Sequence, residues 1–165
     1  PGVREKLAEF GVLSYRVLWF EDKPPKQYPN LSLAAVSTHD LPTIAGVWSG
    51  ADLREQEEAG LRASKAALKK NRARLKKLAR PGDSAAAPDV IIKVHGALAE
   101  APSAVILASL DDALAVERRP NLPGAMNDRR PNWCIPLPKT VEEIESDPLV
   151  LQVAHTLQQS VMNRA

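Results

Sequence analysis

Cysteine occurs once, at Cys134, which permits neither an internal disulfide nor a cysteine-rich zinc site. Aromatic residues are scarce, with 3 Trp, 2 Tyr and 2 Phe in 165 residues. No apolar run approaches the roughly 18 residues that would span a bilayer. The opening Pro-Gly-Val-Arg-Glu-Lys has no apolar core, which predicts that it is not a secretory signal. An excess of one charge is also missing, since 22 basic and 20 acidic side chains leave a formal charge of +2. Together these absences predict a reducing, cytoplasmic setting and no membrane partner. The start at proline rather than methionine is compatible with a piece cut from a longer chain.

The remaining composition is that of a globular protein, 44% hydrophobic and 25% charged, and the length suits one domain. The 14 prolines exceed the average of roughly 5% and predict many interrupted segments. Residues 3–10 read as the end of a helix closed by Gly11. Val12 to Phe20 (VLSYRVLWF) is β-branched and aromatic and reads as a strand. A proline-rich loop follows over Glu21 to Asn30. Leu31 to Thr38 suits a second strand, buried on both faces as in a parallel sheet. Ser103 to Leu110 is the third strand candidate.

Helices are predicted between them. Pro42 and Gly50 bracket one. Residues 51–80 are helical in composition, with Leu53, Leu61, Leu68, Leu75 and Leu78 as an apolar stripe. Asp89 to Glu100 is another. A C-terminal helical region at about 140–164 opens on Thr140-Val-Glu-Glu143, a capping-box spacing, and Asp147-Pro148 reads as a further N-cap. Strands separated by helices imply an α/β protein with a parallel sheet. Only about ten residues link the first two strands, short for a parallel crossover of a dozen or more. Three strands also make a poor independent sheet, so the pattern looks incomplete.

The most informative stretch is Val36-Ser-Thr-His-Asp-Leu-Pro-Thr43. It carries His39 and Asp40 where a buried strand gives way to a helix, and ligands of parallel α/β folds bind at strand carboxyl ends. Spacing alone favours Asp40 as the N-cap of the following helix, with catalysis second. Asp111-Asp112 follows the third strand in the same way. With Asp40, two strand ends then carry carboxylates, like the acid/base pairs of glycoside-cleaving enzymes, although a solvated turn or helix start is the simpler reading. Glu21-Asp22 shares the ambiguity with less support.

Residues 62–80 carry basic side chains from Arg62 to Arg80 and no acid. A basic helix can track phosphates, yet no aromatic is interleaved for base stacking. A solvated helix face is the better reading. The alternative it keeps open is a helix-rich interaction module binding nucleic acid or an acidic partner. His95 and His155 have no metal-ligand spacing, Trp19, Trp48 and Trp133 read as packing, and no phosphate loop or nucleophile elbow is present. No metal or cofactor is implied.

At His39-Asp40 the sequence resembles the bacterial 4-α-glucanotransferases, the amylomaltase or disproportionating-enzyme family of retaining glycoside hydrolases. The resemblance extends to Gly11-Val-Leu-Ser-Tyr-Arg-Val-Leu-Trp-Phe-Glu21 with Tyr28-Pro29, to Asn121-Leu-Pro-Gly124, and to Pro131-Asn-Trp133. These landmarks stand in family order over roughly residues 1–138. The resemblance implies the C-terminal portion of a TIM (β/α)8 barrel, with 12–20, 31–38 and 103–110 as its last three strands. The stretch at about 51–80 would be a basic helical insertion.

Of the three acids such enzymes use, the resemblance carries over only the transition-state-stabilising aspartate, onto Asp40. His39 and Asn121 become sugar-binding residues. The family glutamate lies just upstream of a segment like Pro1-Gly-Val-Arg, and the nucleophile further upstream. The 165-residue chain alone is therefore expected to be inactive. The implied partners are α-1,4-glucan or malto-oligosaccharide donors and acceptors, with nucleic acid disfavoured, and an exposed barrel flank predicts self-association. Two positions depart from the family pattern, Ala125 after the Pro-Gly and Cys134 after the Asn-Trp.

Overall fold

The computed structural model describes residues 2–80, 82, 84–126 and 128–162. Three strands, β1 (Ser14–Val17), β2 (Ser32–Ala35) and β3 (Val105–Leu107), form a parallel sheet in chain order. Ser14 faces Ser32 and Val17 faces Ala35 across the first pair, and Leu33 faces Val105 across the second. Each strand is shorter than its apolar run. The Leu18 amide makes the last bond to β2, donating to the Ala35 carbonyl at 2.9 Å, and the chain then turns, with the Phe20 N–H donating to the Val17 carbonyl at 2.9 Å. The third run stops early because Ser109 becomes a helix cap. The short first crossover contains no α-helix. It closes through one 3-10 turn at Pro25–Gln27, stiffened by the prolines that interrupt it.

Eight helices are described: α1 (Val3–Glu9), α2 (Ile44–Ser49), α3 (Ala51–Glu58), α4 (Lys65–Ala79), α5 (Ala87–Ala99), α6 (Leu110–Ala113), α7 (Val141–Glu145) and α8 (Pro148–Met162). The expected helical stretch over 51–80 is two helices, parted where Gly60 takes a left-handed φ of 74°. The C-terminal region is also two helices. The capping box at Thr140 and Glu143 starts α7. The Asp147 carboxylate accepts the Leu149 and Val150 amides at 2.9 Å each to start α8. Residues 163–165 lie outside the described residues.

One hydrophobic core joins the sheet to the helices. α5 is its centre, with Val90, Ile91, Val94 and Leu98 at 0% exposure against Ile44 of α2, Leu75 of α4 and Val153 of α8. The helix-facing side of the sheet is tightly filled around Ala34. The opposite face carries Tyr15, Val105 and Leu107, all exposed. Side chains alternate along a strand, so Val17 and Ala35 share this face and are buried, while Tyr15, Val105 and Leu107 leave the rest of it apolar and open. Among the described residues, no helix is long and apolar enough to cross a membrane.

Candidate functional site

The carboxyl end of β2 delivers the chain into residues 36–43 and then into α2. A helix start leaves amide donors that need acceptors. Here they are supplied from elsewhere. The Thr43 hydroxyl accepts the Gly46 amide at 3.0 Å and donates to the Glu117 carbonyl at 3.3 Å. The Ile44 amide donates to Asp112 Oδ1 at 2.7 Å. The N-cap role that spacing favoured for Asp40 is thus corrected: Thr43 caps α2, and Asp40 is free of that duty.

The Asp40 carboxylate points outward, its side chain 46% exposed. Its Oδ1 accepts the Asn121 side-chain amide at 2.5 Å and lies 3.4 Å from His39 Nε2. Its other oxygen has no hydrogen-bond partner among the described residues. The Asn121 backbone amide also donates to the His39 carbonyl at 3.2 Å. The three residues singled out in the sequence form one cluster at a strand end, although Asp40 and Asn121 are 81 positions apart. The His39 ring is 4.9 Å from the Trp133 ring, tilted by 51°.

A layer of arginines and carboxylates lies under this cluster. Arg119, 7% exposed, donates through Nε and Nη2 to Asp52 Oδ1 at 2.9 and 2.5 Å, and through Nη1 to the Asp40 carbonyl at 2.7 Å. Gln56 donates to the second Asp52 oxygen at 2.8 Å. Arg130, 3% exposed, donates to Glu55 Oε1 at 3.0 Å and to the Arg119 and Pro120 carbonyls. Arg118 reaches the same Glu55 oxygen at 2.7 Å. Asp52 and Glu55 are three residues apart on α3, on one face. They hold both site loops from beneath.

The loop carrying Asn121 is closed by its own sequence. Asn132 Oδ1 accepts the Leu122 amide at 2.9 Å, and its amide donates back to the Leu122 carbonyl at 3.3 Å. The Trp133 amide donates to the Pro120 carbonyl at 3.0 Å. Asn-Leu-Pro-Gly and Pro-Asn-Trp are therefore two halves of one clasp.

Asp111 and Asp112 do not pair with Asp40 as an acid/base set. They form the first turn of α6 under the Ser109 cap, and Asp112 is buried at 1% exposure with its carboxylate on α2. Burial raises the Asp112 pKa, opposed by nearby His95 and the Ile44 amide. Partial burial also raises that of Asp111. Glu21 is held by Arg16 at 3.3 Å, and Asp22 lies in the open 3.8 Å from Arg74.

The basic stretch divides in two. Arg72 turns onto the Trp48 carbonyl at 3.0 Å and Arg74 onto that of Leu18 at 2.8 Å, while Lys65, Lys69, Lys70 and Lys77 remain exposed. His95 is fully buried, with Nδ1 on the Ile91 carbonyl at 2.9 Å. No group of three or more His, Cys, Asp or Glu among the described residues is arranged to hold a metal.

Sequence reading missed Asp52, Glu55, Arg119, Arg130 and the position of Trp133. The available signals were the Arg-Arg pairs just before Pro120-Asn121 and Pro131-Asn132, and two acids at helical spacing upstream.

A solvent-facing carboxylate, amide and imidazole thus gather at a strand end of a parallel α/β sheet, the place where such folds bind ligands. The chain belongs to the 4-alpha-glucanotransferase family (glycoside hydrolase 77), whose model matches residues 1–141. A 4-alpha-glucanotransferase of Mycobacterium tuberculosis is 30% identical over 175 residues, covering 89% of this chain and 24% of the relative. One from Haemophilus influenzae is 32% identical over 155 residues, covering 80% and 22%. The crystal structure of amylomaltase from Corynebacterium glutamicum superposes with a TM-score of 0.82 at 26% identity, over 95% of this chain and 27% of that one. The chain thus spans about a quarter of the length of the relatives it matches.

Proposed function

We propose that this chain contributes the transition-state-stabilising part of a 4-α-glucanotransferase site, with Asp40 as the stabilising carboxylate and His39 and Asn121 as sugar-binding residues. The whole enzyme would cut an α-1,4-glucan and pass the donor segment to the 4-hydroxyl of an acceptor glucan by retaining double displacement. The observation that carries this reading is the freedom of Asp40. Helix capping is satisfied by Thr43 and Asp112, and Asp40 presents a half-exposed carboxylate steered by Asn121.

The chemistry gives that placement a purpose. Retaining cleavage needs two further carboxyl groups about 5–5.5 Å apart, and by resemblance neither corresponds to a residue of this chain. The transition state flattens the sugar ring and develops oxocarbenium charge. A fixed carboxylate that accepts hydrogen bonds from ring hydroxyls strengthens its hold as that distortion grows, which lowers the barrier rather than merely binding substrate. Asn121 occupies Oδ1. That leaves Oδ2 for a hydroxyl.

In the same reading, β1, β2 and β3 are the last three strands of a (β/α)8 barrel. The open apolar face of Tyr15, Val105 and Leu107 is what the filled interior of such a barrel requires. α3 and α4 are the basic helical insertion, and the open face would let the isolated chain self-associate. An exposed free thiol at Cys134 suits a reducing cytoplasm.

Two measurements test the proposal. The 165-residue chain should be retarded in an amylose-containing native gel, with little change on raising salt. Binding to nucleic acid that falls steeply with salt, and no retardation by glucan, would favour the exposed lysines of α4 instead. In an enzyme holding all three acids, Asp40→Asn should cost at least ~3 kcal/mol of transition-state stabilisation, comparable to losing an oxyanion donor. A near-normal rate would remove Asp40 from the chemistry.

A further inference from the structure

Trp133 is the one tryptophan whose position packing does not explain. Trp19 is 5% exposed and its indole donates to the Pro42 carbonyl at 2.9 Å. The Trp48 indole donates to the Ala85 carbonyl at 2.8 Å. Trp133 is 65% exposed, and its indole N–H has no partner among the described residues. Its backbone is also left-handed, at φ 62°, a conformation that bulky L residues rarely adopt and that tends to mark functional positions. The clasp of Asn132 on Leu122 and of the Trp133 amide on Pro120 holds it there.

The ring is not stranded on a random surface. It lies 4.9 Å from the His39 ring, whose Nε2 is 3.4 Å from Asp40 Oδ1. An apolar plate with a free N–H at its edge therefore borders a cluster of half-exposed polar groups. A glucose unit has matching parts: hydroxyls around its rim and a face of C–H bonds that is apolar. Aromatic side chains bind such faces with their flat surface and keep the polar tip for a hydroxyl.

We infer that Trp133 is a sugar-binding residue, stacking on the C–H face of a glucose unit whose hydroxyls engage Asp40, His39 and Asn121. This rests on the glucan reading above and adds the residue that grips the face of the ring. The backbone strain at 133 is tolerated because it turns the indole toward the cluster instead of into the core.

The test uses the 165-residue chain in amylose-containing native gels, with maltohexaose as the soluble ligand. Because the ring is exposed and the backbone strained, Trp133→Gly should keep or raise the thermal midpoint while weakening glucan binding roughly tenfold. Trp133→Phe should retain most of the binding. The emission attributable to Trp133, taken as the difference between wild type and Trp133→Phe, should shift to shorter wavelength with maltohexaose. If wild type and Trp133→Gly are retarded equally and the emission does not move, Trp133 is not a sugar ligand, although the glucan site stands. A variant that loses stability together with binding makes Trp133 structural and also overturns the inference. If the wild type is not retarded at all, the glucan reading falls and takes this inference with it.

Discussion

Replacing Arg119 with alanine removes three hydrogen bonds in one step: two to Asp52 Oδ1 and one to the Asp40 carbonyl. Both side chains of the ion pair are below a tenth exposed, at 9% and 8%, so water cannot replace the lost partner. Asp52 is left as a buried carboxylate with only the Gln56 amide at 2.8 Å. Breaking a buried pair from one side typically costs about 3–5 kcal/mol. That is a large part of the 5–15 kcal/mol that holds a domain together. At roughly 2–4 °C per kcal/mol for a chain of this size, the thermal midpoint should fall by about 10 °C. Urea unfolding followed by circular dichroism measures the same loss as a lower midpoint at constant slope. The pair itself is a different matter from its half. Arg119→Met combined with Asp52→Leu removes the stranded charge and should recover most of the stability, while still releasing the Asp40 carbonyl. A loss below about 1 kcal/mol for Arg119→Ala, the range of a surface pair, would show that the arginine layer does not hold the site.

Two further outcomes follow from the same packing. Asp112 has a raised pKa, chiefly from burial, with His95, Ser109 and the Ile44 amide opposing and Asp111 adding to it. The folded state therefore binds its proton more tightly than the unfolded chain. The resulting stability is complete below the ordinary carboxylate pKa and is lost as pH rises through the folded value. Asp112→Asn keeps an oxygen for the Ile44 amide without the charge, so its stability relative to wild type should improve with rising pH, at up to about 1.4 kcal/mol per pH unit. Urea midpoints at pH 4, 5.5 and 7 would show it, and the opposite trend would refute it. Gly46→Ala should destabilise by about 1–3 kcal/mol despite the better helix propensity of alanine. A Cβ there overlaps the Glu117 carbonyl oxygen and comes within 3.0 Å of Thr43 Oγ1. A higher thermal midpoint for this variant would disprove the close approach.

The strands, the two C-terminal caps and the placement of His39-Asp40 at a strand end were legible because each is a local pattern. β-branched and aromatic runs, a Thr-x-x-Glu spacing and an Asp-Pro pair carry their meaning within a few residues. The role of Asp40 was less so. Both capping and catalysis fit its position, and only the structure shows that capping falls to Thr43 and to Asp112, which reaches Ile44 from 68 residues away. Arg119 and Asp52 are 67 apart, and Arg130 and Glu55 are 75 apart. Nothing in a short window distinguishes such arginines from solvated ones. The stretch 62–80 shows the same limit in reverse, since a run of nine basic residues includes two arginines folded onto backbone carbonyls.

The contact between Asp40 and Asn121 spans 81 positions, and its consequence concerns the order of events during synthesis. A ribosome releases Asp40 long before its partner, and closing so wide a loop carries an entropy cost that local helices do not. The Asp40–Asn121 cluster thus forms only with the final tertiary state, and any ligand held there stabilises the finished fold.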